Sequence, residues 1–415
     1  MFNRLTWSAV AFALTLGLTS GVDLARAQGT IKIAYTDPLS GPFAQVGDQN
    51  LQQFKYIIDW INARGGALGR KFELVAFDNK SQPSDALLAL KSATDQNMPI
   101  IMQCSGSNIA AALIEAVDKH NERNPDNRIV YVNCGAVATE LTNEKCSYWH
   151  FRMDAHVGMK AETMVRALPK DVTKVYLLNQ DYLFGQSVQR DVKAFIDQAP
   201  ARREGGGRRA DPARQGEGLL PVHDQDQGVG RPGRADRQLG PGHDAPDQGG
   251  HGLRARRPVL HDVRPPRRRG HGDRARGNGK VRSIMAFHEN IAVETGKTDT
   301  EGWTKQFRTQ HNFDFYAAGF RTIFEFIQAA MNKAESSDPA KFAQALEGLT
   351  ITDMLGHQVT MRKDDHQILS EYFVGVFTKG VKYDSEGTGL GWKTEVTVPA
   401  KDLDQPNTCK MKRPA

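Results

Sequence analysis

The chain has 415 residues, 39% hydrophobic and 25% charged, a balance that suits two or three globular domains. One long apolar run, at the N-terminus, excludes a multi-span membrane protein, and four cysteines in this length exclude a disulfide-dense mini-scaffold. The formal charge of +6 suggests nucleic acid only until it is mapped: residues 201–280 hold 17 Arg and one Lys against 10 acids, so that segment carries +8 and the rest −2.

At the start, a short basic stretch at residues 1–4 precedes an apolar run over 5–18, and Ala25 and Ala27 present small residues where a signal peptidase reads. The pattern predicts a leader over residues 1–27, cleaved to leave Gln28 first, and hence a periplasmic protein. A single membrane anchor is the competing reading, but the apolar core is shorter than the roughly 20 residues a bilayer requires. Export implies an oxidising compartment, in which Cys104, Cys134, Cys146 and Cys409 can pair in three ways. A bridge between Cys134 and Cys146 around their loop and buried free thiols are both open.

Strand-like runs at residues 31–35, 72–77, 100–103, 129–133 and 175–178 alternate with helix-period segments at 51–63, 84–95, 109–120 and 157–168. Strands separated by helices of this length make right-handed crossovers and a parallel sheet covered on both faces, so the fold class is α/β. Ligands then bind at the carboxyl ends of the strands, here the loops at 40–48, 105–108, 135–142 and 181–185. After residue 280 the same grammar resumes, with a strand at 281–287, helices at 300–310 and 317–334, and a short helix from Pro339. The tail turns to strands at 358–361 and 372–377, with Lys363, Asp364 and Asp365 as a turn between them.

Five short motifs stand on this framework: L-S-G-P-F-A-Q-V-G-D at 39–48, I-N-A-R-G-G at 61–66, C-S-G-S at 104–107, E-L-T at 140–142 and F-G-Q at 184–186. In this order and spacing they resemble the leucine/isoleucine/valine-binding branch of the type I periplasmic binding proteins, over about residues 31–199 and 281–377. The resemblance implies two α/β lobes that close on a small ligand and deliver it to the membrane permease of an ABC importer. It implies a first lobe from 28–150 plus 281–360 and a second from 151–280 plus 361–415. It places ligand contacts on Ser105 and on the turn Gly135, Ala136 and Val137, where a serine hydroxyl and main-chain groups would receive a carboxylate. The competing role for Ser105 is to cap the helix that follows. A family threonine matches Val137, a second-lobe tyrosine matches Phe184 with Tyr182 nearby, and an aromatic wall position is Val46; these departures point to a ligand other than leucine, such as another small carboxylate or an amide.

Residues 201–280 contain no Phe, Trp, Tyr, Ile, Met, Ser, Thr or Cys, a composition unable to bury a core. The segment reads as a shifted frame. Asp224-Gln225-Asp226-Gln227-Gly228 can be encoded so that reading one nucleotide later gives T-K-I-K, and the same shift upstream and downstream restores strand- and helix-like strings. The whole interval between the two hinges stays near the length a second lobe needs, so the segment replaces sequence rather than adding to it, and a natural disordered insert fits less well. Its motifs lose force accordingly. The G-x-G-x-x-G at 228–233 has no apolar strand before it and a Pro inside it. His223, His243, His251, His261 and His271 lack metal-site spacing, and Arg267, Arg268 and Arg269 lack aromatic platforms for nucleic acid.

Elsewhere no nucleophile elbow and no H-E-x-x-H exists, and Asp364, Asp365 and His366 read as a solvated hairpin rather than an acid/base pair. The expectation is a monomeric, non-enzymatic binding component without metal or cofactor, for branched-chain amino acids or related small amino or carboxylic compounds. The alternative is a periplasmic sensor that presents the same fold to a signalling receptor.

Overall fold

The computed structural model describes residues 29–169, 172, 175–198, 259–260, 278–316 and 318–414. The expected leader and nearly all of 201–280 lie outside them. A five-stranded parallel sheet, in the order β2-β1-β3-β4-β5, comprises β1 (Ile31–Asp37), β2 (Phe72–Asp78), β3 (Ile100–Gln103), β4 (Val130–Asn133) and β5 (His150–Arg152). Each residue of β3 and β4 is buried, as a central parallel strand requires with helices on both faces. The crossovers are α1 (Ala44–Asn62), α2 (Pro83–Asp95) and α3 (Ser107–Arg123). Phe54, Ile57, Ile58 and Ile61 of α1 follow the helical period and all four are buried in the core. In α2, Pro83 pre-sets the first turn and Asp85 faces its partial positive charge.

A second, four-stranded sheet has the order β12-β11-β7-β6, with β6 (Val259–Leu260), β7 (Val281–Met285), β11 (Tyr372–Thr378) and β12 (Gly391–Val398). Strand β11 runs antiparallel to β7 and β12, while β6 is parallel to β7. Helices α4 (Val157–Arg166) and α5 (Leu183–Gln198) pack together, and Met159 and Met164 of α4 join Ile284, Tyr372 and Val374 in a core under this sheet. The remaining helices are α6 (Glu289–Glu294), α7 (Thr298–His311), α8 (Ala318–Ala334) and α9 (Pro339–Leu346). Asp338 caps α9 by accepting from the N–H groups of Ala340 and Lys341, both at 3.1 Å. A small antiparallel sheet of β8 (Thr350–Thr352), β9 (Gln358–Met361) and β10 (Ile368–Leu369) completes the structure.

Several sequence expectations meet a different tertiary arrangement. Residues 281–285 sit in the second sheet, hydrogen-bonded to β11, whereas the expected division starts the returning first lobe at 281. The runs at 358–361 and 372–377 are strands but not partners: β9 pairs with β8 and β10, and β11 belongs to the other sheet. Their intervening turn is solvated only at Lys363 and Asp364. Asp365 is 1% exposed and ion-paired with Arg362, and His366 is fully buried, its ring stacked on Phe151 at 4.1 Å between centroids. Residues 175–178 form no strand, and Val175, Tyr176 and Leu178 are 38%, 72% and 63% exposed. A strand exists only through a neighbour's hydrogen bonds, and among the described residues none runs beside it.

The sheets are joined where the chain passes from β5 towards α4 and where the tail returns. Arg152, fully buried, donates through Nε to Gln367 Oε1 at 2.7 Å and through Nη1 to the Ala138 carbonyl at 2.6 Å, and it also reaches Thr142 Oγ1. Its backbone N–H donates to the His366 carbonyl at 2.9 Å. Burial lowers the guanidinium pKa to about 9, with Asp365 and Asp154 opposing the shift. A planar fork of donors suits such a junction, because one side chain satisfies acceptors from two segments, the turn at 138–142 and the returning tail at Gln367.

Candidate functional site

A cavity of about 1010 Å³ lies at the carboxyl ends of β3 and β4 and extends to the second sheet. All seven residues singled out from the sequence, Val46, Ser105, Gly135, Ala136, Val137, Tyr182 and Phe184, line it. They come from four separate stretches of chain: the parallel sheet gathers those after β1, β3 and β4 at one edge, and the chain at the start of α5 supplies Tyr182 and Phe184. Two motif glycines explain how closely these loops pack. A Cβ on Gly47 would lie 1.8 Å from the Pro38 carbonyl oxygen, and one on Gly185 would lie 1.7 Å from that of Gln180. Each glycine immediately follows a wall residue, Val46 or Phe184, so the backbone contact fixes where that side chain stands.

The two first-sheet loops are bound covalently. Cys104 and Cys134 form a disulfide with their Cα atoms 4.6 Å apart, and both line the cavity. Cys146 pairs with Cys409, so neither the Cys134–Cys146 bridge nor free thiols, the two readings left open above, is realised. Cys104 and Cys134 follow adjacent paired strands, whereas Cys146 meets a residue 263 positions away that only the tail's return path brings near.

Beneath the loops is a side chain that sequence reading passed over. Asp37, at the end of β1 and fully buried, accepts from Tyr35 Oη at 2.9 Å, Asn50 Nδ2 at 3.3 Å, the Ser105 N–H at 2.8 Å, Ser105 Oγ at 3.1 Å and the Cys104 N–H at 3.4 Å. An acid closing a strand whose other inward residues are mostly apolar was the available signal. Ser105 does not cap α3: the helix begins at Ser107 after Gly106, whose φ is +95°, and it has no side-chain cap. The neighbouring turn is organised by Asn133, whose Oδ1 accepts from the Gly135 and Ala136 N–H groups at 3.2 and 2.8 Å.

On the opposite wall, the Tyr182 and Phe184 rings stand 6.0 Å apart. Lys160 and Asp154 pair at 3.0 Å at the cavity margin, and His288 Nε2 meets Thr394 Oγ1 at 2.8 Å. Burial lowers the His288 pKa to about 4, which leaves a neutral imidazole despite Glu294 4.0 Å away. A latch joins the first-sheet turn at Thr139–Thr142 to α5. Thr139 Oγ1 donates to Asp191 Oδ2 at 2.6 Å, Ser187 Oγ donates to Glu140 Oε2 at 2.5 Å, and Arg190 pairs with Glu140. Burial would raise the Glu140 carboxyl, but Ser187 and Arg190 hold it below its ordinary value. Among the described residues no group of three or more His, Cys, Asp or Glu could hold a metal ion. The walls offer apolar surface with a few placed polar groups, the makeup of a small-molecule binding site.

The family model described as "Periplasmic binding protein" matches residues 30–202. Over those residues the chain is similar to that family. The chain is 34% identical over 183 residues to a "Leu/Ile/Val-binding protein homolog 4" of Brucella abortus, covering 42% of this chain and 44% of the relative. It is 25% identical over 175 residues to the leucine-, isoleucine-, valine-, threonine- and alanine-binding protein of Pseudomonas aeruginosa, covering 42% and 45%. The matched stretch thus spans less than half the length of these curated relatives. By structure, the chain is similar to the leucine-, isoleucine-, valine-, threonine- and alanine-binding protein of Brucella ovis in its closed conformation. The TM-score there is 0.68, with 22% identity, 93% of this chain and 100% of that one covered. An ABC-type branched-chain amino acid transporter of Rhodopseudomonas palustris gives a TM-score of 0.63, with 18% identity and 92% and 100% covered. These likenesses establish the type I periplasmic binding protein fold across both sheets.

Proposed function

We propose that this protein is the periplasmic substrate-binding component of an ABC importer for branched-chain amino acids or related small amino or carboxylic compounds. On this reading it is exported by its leader, acts as a monomer without catalysis, and hands its ligand to a membrane permease. The observation that carries it is the convergence of the seven expected residues on one cavity whose two first-sheet loops are tied by a disulfide. The names of the relatives, a Leu/Ile/Val-binding protein homolog and a leucine-, isoleucine-, valine-, threonine- and alanine-binding protein, support the ligand class.

The reading includes the frame shift at residues 201–280. Support comes from the family match, which stops at residue 202 where the composition changes, and from the exposed apolar residues at 175–178. A clamp needs contacts from both lobes, so the chain as written binds weakly and a frame-restored chain binds tightly.

Thermal unfolding of both chains against a panel of amino acids, short carboxylates and amides tests this, because a ligand bound only by the folded state raises the midpoint. The expected result is a shift of several degrees for one class on the frame-restored chain and a smaller one on the chain as written. No shift with any compound on either chain sinks the binding role; equal, tight binding by both sinks the frame shift, as does a gene without compensating insertions or deletions near residues 199–203 and 276–279.

A further inference from the structure

The resemblance gives Ser105 and the turn at Gly135–Val137 the task of receiving a ligand carboxylate, and that task needs donors. The structure commits the donors of Ser105, Gly135 and Ala136 elsewhere and leaves the Val137 N–H. The Ser105 N–H points to Asp37 Oδ1 at 2.8 Å, and Ser105 Oγ lies 3.1 Å from Asp37 Oδ2. The N–H groups of Gly135 and Ala136 both go to Asn133 Oδ1, and that of Ala138 goes to Ser107 Oγ at 3.3 Å. Val137, where the resembling proteins have a threonine, contributes no hydroxyl.

The direction of the Ser105–Asp37 bond follows from chemistry. A carboxylate accepting from two hydroxyls, a side-chain amide and two backbone N–H groups is an acceptor-only group, so the shared proton belongs to the serine. Its negative charge is felt nearby: beyond the effect of burial, Asp37 pushes the Tyr131 hydroxyl pKa further up. With its proton directed inward, Ser105 Oγ offers the cavity only lone pairs, backed by a buried anion. A carboxylate placed there would meet an acceptor and a like charge, whereas an N–H group would meet a hydrogen-bond partner in a favourable field.

We infer that Asp37 is a specificity-determining residue that reverses the polarity of the Ser105 subsite, so that the group bound there is an N–H donor, an ammonium or a primary amide, and not a carboxylate. A second bond chain supports a fixed arrangement. Tyr316, another wall residue, donates through Oη to Asn50 Oδ1 at 3.1 Å, and Asn50 in turn donates to Asp37. Asn50 and Tyr35 bond the same Oδ2 that receives Ser105 Oγ, while Oδ1 takes the Ser105 and Cys104 N–H groups, so rotation of the carboxylate away from the serine would break all of these bonds.

The inference rests on the cavity being the ligand site, and a matched set of probes separates the two. Isovaleramide and isovalerate share a carbon skeleton and differ by one NH2 in place of one oxygen, and isopentylamine supplies the ammonium. Calorimetry on the full chain and on its frame-restored form is expected to show isovaleramide and isopentylamine binding at least about tenfold more tightly than isovalerate, the scale of one charge-linked hydrogen bond. Asp37→Asn is expected to shrink that ratio several-fold, and Ser105→Ala to weaken the amide without strengthening isovalerate. Should either variant fail to fold by near-ultraviolet circular dichroism, the wild-type ratio alone decides. Isovalerate binding as tightly as isovaleramide overturns the inference and leaves the cavity as the ligand site. No binding of any probe to either chain overturns both.

Discussion

The two disulfides close loops of very different size, and their removal should separate stability from binding. Cys104 and Cys134 are 30 positions apart, Cys146 and Cys409 are 263 apart, and neither loop contains the other. In the chain-entropy treatment, cross-linking costs the unfolded ensemble 2.1 plus 1.5R ln n entropy units, which gives about 3.7 kcal/mol for the short loop and about 5.6 kcal/mol for the long one at 25 °C. Replacing both members of each pair with Ala should therefore destabilise the Cys146/Cys409 variant by about 2 kcal/mol more than the Cys104/Cys134 variant. The folded tail keeps other attachments: Thr408 N–H donates to Asn143 Oδ1 at 2.8 Å and Arg413 pairs with Glu347, so most of the loss arises in the unfolded chain. Binding should follow the opposite order. Loss of the Cys104–Cys134 bond frees two cavity loops, whereas Cys146–Cys409 lies outside the cavity walls. Urea unfolding followed by tryptophan fluorescence, with calorimetry at the same pH, reads both quantities. The reasoning is refuted if the short-loop variant is the less stable, or if it binds as the wild type does while the long-loop variant does not.

His288 should make the protein acid-sensitive in a defined window. Its folded pKa, about 4, lies below the 6.5 of an unburied imidazole, so the unfolded chain binds the proton first; its contribution is intact above pH 6.5 and is lost as the pH falls towards 4. At pH 5 the loss is about 2 kcal/mol, so the stability gap between wild type and His288→Gln should narrow by that amount from pH 7.5, and a constant gap in urea melts would contradict it. Arg152→Met leaves the acceptors of Gln367, Ala138 and Thr142 without their shared donor and should cost about 3 to 5 kcal/mol, with Arg152→Lys recovering less than half; a loss under about 1 kcal/mol would show that the junction tolerates disconnection. Mass spectrometry of exported protein should find Gln28 as the first residue, and an intact Met1 would remove the leader.

The features legible in the chain alone are local or periodic. Alternating apolar runs and helix-period segments located the first four strands of the parallel sheet and their helices, since burial of one face writes a period into the chain. The loops at the strand ends followed from the topology rule, and the short motifs placed seven residues that do meet in one cavity. The compositional break at residue 201 was likewise visible, because a stretch without aromatic residues or isoleucine cannot contribute a core.

Tertiary structure alone decided the features that depend on distant partners. The run at 175–178 has strand composition but no neighbouring strand among the described residues, and β11 has the same kind of composition with two. Disulfide pairing depended on the return of the tail, which no spacing encodes. The polarity of Ser105 is the sharpest case: its sequence context is that of a donor to a ligand, and only the buried carboxylate at the end of β1, 68 positions away, turns its proton inward. A hydroxyl can donate in only one direction at a time, and the sequence around Ser105 does not include the atom that takes it.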